Sequence, residues 1–463
     1  MALAIAGERS GVGKTTVTLA LLAALQRRGL QVQSFKVGPD YIDPMFHTQV
    51  TGRACRNLDP VLTSEAYVQQ CFARHVAGVD CALVEGVMGL FDGATGSEDC
   101  ASTAHIARLL NIPVLLVLDC SRLSRSVAAI AHGYRSFDPR IQLAGVVLNR
   151  VGSDRHLELL QSALEPLNLP ILGVLRRQAE ITIPDRHLGL VPTGELDQFN
   201  SLIDRLADLG ETCFDWPQLL PLLDAPPPQP SEPLVGQEQN LFPGPQVRIA
   251  VARDRAFNFY YADNLDCLEQ LGAELVSWSP LSDPHLPVDV QGLYLGGGFP
   301  EVFAEQLADN ASGRDGVRRA IQAGLPTYAE CGGLMYLCQQ IQGFDQQSWP
   351  MVGILPTTAV MGGRLTLGYR RAIAQQNSSL IAAGTTVCGH EFHRSTLTET
   401  TPQPLFQTWR YDPSSQEAPS LEGWRSQQVH ASYLHLHWGS RPELAARFVR
   451  SCTQFQQPIA KFQ

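Results

Sequence analysis

At 463 residues the chain is longer than one hydrophobic core usually fills, so two to three domains are expected, with 44% apolar residues to build their cores. A formal charge of −10 argues against nucleic-acid or polybasic membrane binding, because either needs a concentrated basic face. Eleven cysteines with no CxxC pair fit a reduced compartment better than a disulfide framework or a zinc site, and no apolar run approaches the ~20 residues of a membrane helix; a soluble, cytoplasmic protein is expected.

The first apolar run, residues 3–6, has no charged segment before it and leads straight into a glycine loop, so it reads as a first strand and not as a signal peptide. That loop is GERSGVGKTT, residues 7–16, followed by an amphipathic helix over 16–27. Glycines let backbone N–H groups approach phosphate, the helix N-terminus adds positive potential, and a hydroxyl can ligate magnesium. Gly11, Val12, Gly13, Lys14, Thr15 and Thr16 are therefore expected to bind the phosphates of a nucleotide, with Thr15 on the metal. The first glycine of the usual G-x-x-x-x-G-K-T register would be residue 8, which is Glu8; Gly7 supplies the turn one residue earlier. Lysine is rare, with only Lys14, Lys36 and Lys461, and two of the three fall in or near this loop. Compact ammonium groups suit β- and γ-phosphates better than guanidinium forks do.

Further apolar runs at 32–36, 82–85, 114–119, 145–149 and 171–175 alternate with helical periodicity, the pattern of a parallel sheet with crossover helices. Their C-terminal ends should face the ligand crevice. The second run ends in Lys36, followed by Asp40 and Asp43, which can hold magnesium, position a substrate, or serve only as turn residues. The third ends in Glu85, a carboxylate suited to a magnesium ion beside the γ-phosphate, before a glycine loop containing Asp92. Asp92 either binds substrate or caps that loop. Asn149 ends the fifth run and offers the paired donor and acceptor that an adenine edge requires, although a strand-end asparagine can equally close a turn.

Repeated prolines at 226–233 and 243–245 mark an extended linker. The expected division is an ATP-binding domain over 1–224, a linker over 225–246 and a second domain over 247–463. The second half repeats the alternating pattern with runs at 247–251, 274–278, 292–295 and 326–330, then strand-rich material at 368–374 and 385–392, and a final strand and helix within 432–450. Cys331, in Ala329-Glu330-Cys331-Gly332-Gly333, stands where a strand turns sharply into a helix, an exposed position whose helix potential favours a thiolate nucleophile. The bases open to it are His435 and His437, which on a strand would point the same way. Gly297 and Gly298, after the run at 292–295, can present N–H groups to an oxyanion. The segment GHEFHR, 389–394, yields no role from sequence.

The displaced glycine of the first loop resembles dethiobiotin synthetase and its relatives, a branch that includes MinD/ParA-like ATPases. Those ATPases carry a lysine five residues before the loop lysine, where this chain has Arg9. The series GERSGVGKTT, FKVGPDYIDP, VEGVMGLFDG, STAHIARLL and GVVLNRVGS resembles the cobyrinic acid a,c-diamide synthase family of glutamine-dependent amidotransferases over essentially the whole chain. The Tyr-Leu-His at 433–435 is similar to class I glutamine amidotransferases, which selects His435 as base; many of these have glutamate two residues later, where this chain has His437.

The resemblance implies a two-domain α/β protein, with a P-loop parallel-sheet domain like dethiobiotin synthetase and a flavodoxin-like class I amidotransferase domain. It implies ATP and Mg2+ at Lys14, Thr15 and Thr16, with Asp40 and Glu85 attending the metal, Asp43 beside the substrate carboxylates and Asn149 at adenine. The substrates implied are cobyrinate, glutamine and ATP, with hydrogenobyrinate and nickel-sirohydrochlorin as alternatives, and a homodimer is one assembly open to the chain. The rival from another class is a MinD/ParA-like regulatory ATPase with a degenerate amidotransferase domain.

Overall fold

The computed structural model describes residues 2–177, 185–186, 189–195, 199–223, 247–412 and 418–455. The proline-rich segment expected as a linker lies outside the described residues. The chain forms two compact units, Met1–Leu234 and Val235–Gln463. Among the described residues no helix is long and apolar enough to cross a membrane.

In the first unit, strands β1 (Ala2–Gly7), β2 (Val32–Val37), β3 (Arg56–Leu58), β4 (Cys81–Glu85), β5 (Val114–Asp119), β6 (Leu143–Val151) and β7 (Ile171–Arg176) form one sheet in the order β3-β2-β4-β1-β5-β6-β7. Every neighbouring pair is parallel. Strands β1, β2, β4 and β5 are buried along their whole length, which is why they read as unbroken apolar runs. Strand β3 has three residues and no periodicity to reveal it. Helix α1 (Lys14–Arg27) starts two residues before the expected position, because Gly13 at φ 97° turns the chain directly into it. Side chains of Ser64, Ser102 and Ser153 cap three later helices by accepting from Tyr67, His105 and His156 amides.

The second unit has a sheet in the order Ala273–Trp278, Val247–Ala252, Gly292–Leu295, Thr327–Glu330, Val429–Ser432, parallel throughout, with Trp424–Ser426 antiparallel at its edge. The strand expected at 368–374 is the end of a longer one, Leu355–Ala374, which pairs antiparallel with Thr386–Leu397 across a register break between Met361 and Thr366. Two glycines, Gly362 and Gly363, fall in that break and interrupt the alternation that would have exposed the full strand. The final strand stops at Ser432, so His435 and His437 do not lie on it; His435 instead forms an isolated antiparallel bridge with His390. Under this region Tyr294, Tyr328 and Trp438 pack with ring centroids 5.0 to 5.6 Å apart.

Candidate active sites

The loop after β1 is shaped by glycine where a side chain would collide. A Cβ on Gly7 would fall 2.6 Å from the Val12 side chain, and one on Gly13 would fall 2.3 Å from Asn149 Nδ2. Lys14 Nζ donates to the carbonyls of Met88 (2.5 Å) and Arg9 (3.3 Å), so the ammonium is held by backbone oxygens, the kind of partner a phosphate oxygen can replace. Met88 adopts φ 43° to present its carbonyl. Burial, and then the neighbouring charge of Lys36, lowers Lys14 to about 8. A triphosphate favours the charged ammonium, so binding near pH 8.5 should take up a proton. Nucleotide affinity is expected to fall by up to about tenfold per pH unit from about pH 8 towards the ordinary lysine range. Calorimetry in two buffers of different ionisation enthalpy checks this; proton-neutral binding would contradict it.

Behind the loop a buried charge cluster joins β2, β4 and α2 (Ile42–Thr51). Lys36 Nζ donates to Asp43 Oδ2 (2.5 Å), Glu85 Oε1 (3.0 Å) and the Gly86 carbonyl (3.2 Å). The Thr15 hydroxyl donates to Glu85 Oε1 (2.7 Å) and lies 3.5 Å from Asp43 Oδ2. The other oxygen of Glu85 meets His47 Nε2 at 2.7 Å, and His47 Nδ1 lies 3.4 Å from the Cys55 sulfur. Burial alone would raise the Glu85 carboxyl, but Lys36, His47 and Thr15 hold it well below the usual carboxylate range. Burial, then the charge of Asp40, pushes Asp43 up to about 7.

The structure thus brings Thr15, Lys36, Asp43 and Glu85 into direct contact. Asp40 stands at the rim, its Oδ1 accepting the amides of Ile42 (2.8 Å) and Asp43 (3.1 Å) at the start of α2. Asp92 Oδ2 accepts the Gly89 amide (2.8 Å), which closes its own loop. Asn149 uses one N–H on the Val12 carbonyl (2.7 Å) and one lone pair on the Arg150 amide (2.8 Å), which leaves its second donor and second acceptor site for another partner. Sequence reasoning missed His47 and Cys55, which face inward with no motif to mark them. Arg9, where partition ATPases carry lysine, pairs with Asp119 at 3.0 Å.

In the second unit Cys331 takes φ 47° and ψ −98°, a strained elbow between Thr327–Glu330 and the short helix Gly332–Leu337. Its amide donates to the Ser432 carbonyl (2.8 Å), and its sulfur lies 3.9 Å from the Phe392 carbonyl. Contrary to the expectation of a helix-stabilised thiolate, burial pushes the Cys331 thiol up, and Glu301 and Glu330 add to the shift. Six helical residues cannot offset a buried sulfur surrounded by carboxylates.

Gly297 lies against His435, and Gly298 against the turn that follows Cys331. A Cβ on Gly297 would lie 2.7 Å from His435 Cε1, and a Cβ on Gly332 would lie 3.1 Å from the Gly298 nitrogen. His435 is held by paired backbone hydrogen bonds with His390 (3.0 and 2.9 Å). Beyond it, Asn264 bonds the Leu436 carbonyl (2.8 Å) and the Trp438 amide (2.7 Å), replacing the ladder that the ended strand no longer supplies. His437 turns away, its Nε2 3.9 Å from Asp263 and its ring against Tyr261. The unassigned segment at 389–394 supplies His390, the Glu391–Arg370 ion pair (2.7 Å) and His393 stacked on Tyr433.

A P-loop module on a parallel sheet, followed by a cysteine elbow on a second parallel sheet, defines a nucleotide-dependent glutamine amidotransferase. Residues 3–191 match the CobQ/CobB/MinD/ParA nucleotide binding domain, and residues 248–443 match the CobB/CobQ-like glutamine amidotransferase domain. The chain is 63% identical to a cobyrinate a,c-diamide synthase of Synechococcus sp., over 98% of this chain and 99% of that one. It is 55% identical to one from Synechocystis sp., over 99% and 95%. With a hydrogenobyrinate a,c-diamide synthase of Streptomyces coelicolor it shares 43% identity, over 97% of each. The chain belongs to the cobyrinate a,c-diamide synthase family and is a glutamine-hydrolysing carbon–nitrogen ligase that uses ATP. That assignment displaces the regulatory-ATPase alternative.

Proposed function

We propose that the chain amidates the a- and c-acetate carboxylates of cobyrinate through acyl-phosphate intermediates, in domains spanning 1–224 and 247–463 joined by a linker at 225–246. The supporting observation is the retention, in one chain matched end to end by its relatives, of both the acid–lysine cluster and the cysteine elbow.

Cys331 attacks the glutamine amide carbon while its proton passes to His435, and the N–H groups of Gly297 and Gly298 receive the oxyanion. His435 returns the proton to the departing nitrogen, ammonia leaves, and water hydrolyses the thioester. In the other centre a substrate carboxylate oxygen attacks the γ-phosphorus and ADP departs. Lys14 and Lys36 neutralise charge on the phosphoryl oxygens, Asn149 reads adenine, and Asp43 with Asp92 positions the macrocycle. Ammonia then attacks the acyl carbon and phosphate leaves.

The oxygen-only donors Thr15, Asp40 and Glu85 fit a hard divalent ion, with the hydroxyl and Glu85 already converging at 2.7 Å. Magnesium held there would add charge neutralisation at the phosphates. A cytoplasmic location and pairing into homodimers belong to the same reading.

Among substrates, the 63% and 55% identical relatives carry the cobyrinate name and the 43% identical one the hydrogenobyrinate name, which favours cobyrinate. Incubation with ATP, amide-labelled glutamine and each of cobyrinate, hydrogenobyrinate and nickel-sirohydrochlorin should place two labelled nitrogens in cobyrinate. Nucleotide cleavage without any macrocyclic amide would refute the reading.

A further inference from the structure

The residue two positions after His435, where many class I glutamine amidotransferases have glutamate, is His437, turned toward Asp263 and Tyr261. A buried carboxylate does face the imidazole, from an unexpected place in the chain. Glu330, the residue immediately before the nucleophile, is 1% exposed. Its Oε1 accepts the Tyr328 hydroxyl and the Leu436 amide (3.0 Å). Its Oε2 accepts the Tyr294 hydroxyl (3.4 Å) and lies 3.8 Å from His435 Nδ1.

We propose that Glu330 is the positioning carboxylate of the glutaminase centre, fixing both the ring of His435 and the backbone that carries it. This rests on the reading of Cys331 and His435 as the glutamine-hydrolysing pair. One oxygen is engaged by the amide next to His435, so the backbone is tied; the other is turned toward Nδ1, so the ring is oriented. A separation of 3.8 Å is longer than a hydrogen bond, and such contacts in unliganded centres tighten when substrate enters. With Nδ1–H directed at Glu330, Nε2 would be the basic nitrogen that serves the thiol. The Cys331 S–H proton moves to Nε2, the S–C bond forms as the amide π electrons shift to oxygen, and Nε2 returns the proton to nitrogen as the C–N bond breaks. Glu330 keeps its place opposite the ring throughout.

The other ionisable groups near this ring serve the role less well. His390 and His393 are kept neutral by burial, and Glu391 is already paired with Arg370 at 2.7 Å. The carboxylate has in effect moved from the base's own segment to the nucleophile's, where the elbow fixes it relative to Cys331.

The test compares glutamine hydrolysis by the full chain and its Glu330→Gln variant, which keeps volume and an acceptor for the Leu436 amide. A fall in kcat of about 100-fold is expected with KM within about threefold. The acidic limb of the kcat–pH profile should also move down by about one unit, because an imidazole without its carboxylate is less basic. A merely structural residue would lower kcat without moving that limb. On the unmodified chain, 15N-imidazole spectra, with the His435 signal assigned by its loss in His435→Asn, should show the Nδ1–H tautomer. Activity of Glu330→Gln within about threefold of the parent, an unmoved limb, or an Nε2–H tautomer would overturn the proposal. If the variant does not fold, the tautomer decides alone. An unmodified enzyme unable to hydrolyse glutamine would instead defeat the underlying glutaminase reading, with the tautomer still deciding the geometry.

Discussion

Cys331→Ser should lower glutamine-dependent amidation by at least about 1,000-fold, and free ammonium should restore amide formation. The expectation follows from the separation of tasks between the units. In the proposed function the elbow would supply nitrogen, whereas the acid–lysine cluster would activate the carboxylate without the sulfur. A serine hydroxyl at φ 47° can occupy the same backbone geometry, so the lesion is chemical and not conformational. Product mass spectra with glutamine alone and with ammonium alone provide the check. Ammonium failing to rescue would mean that Cys331 also supports carboxylate activation, contrary to the two-centre mechanism.

The second large effect is expected at Lys36. Lys36 is 3% exposed, and its ammonium compensates two carboxylates, Asp43 at 2.5 Å and Glu85 at 3.0 Å. Lys36→Met keeps the aliphatic stem and removes the charge, leaving the buried carboxyls of Asp43 and Glu85 with the Thr15 hydroxyl and His47 as side-chain partners. Breaking a buried pair from one side costs about 3–5 kcal/mol. For a unit of this size that corresponds to roughly 6–20 °C in its melting temperature. ATP-dependent amidation should fall by about 100-fold or more even with ammonium supplied. The double variant Lys36→Met with Asp43→Leu should recover much of the stability, since one stranded anion is gone, yet none of the activity. Calorimetry on the single and double variants decides; a single variant as stable as the parent would show that the charges are not paired in solution.

These features differ in how far the sequence disclosed them. The run at 114–119 is the strand Val114–Asp119 residue for residue, because a strand buried on both faces leaves no polar position to blur its ends. The loop at 7–16 is equally legible, since close contacts demand glycine at Gly7 and Gly13 and a φ of 76° favours it at Gly11. Partnerships across elements were not legible. Lys36, Asp43, Glu85 and His47 come from three separate elements, and only the packing of α2 against β2 and β4 shows that they share one buried volume. The apolar alternation continues past Ser432 and suggests that His435 lies on the strand, whereas His390 bonds its backbone and Asn264 and Glu330 take the backbone of Leu436 beyond it. Glu330 carries no motif of its own beside the nucleophile, and its contact with His435 comes only from the fold. Strand alternation stops at the strained turn of Cys331.

The rise in the Cys331 thiol carries a consequence beyond turnover. Peroxide and other oxidants react with the anionic form of sulfur, so the burial that raises the Cys331 thiol also disfavours its direct oxidation.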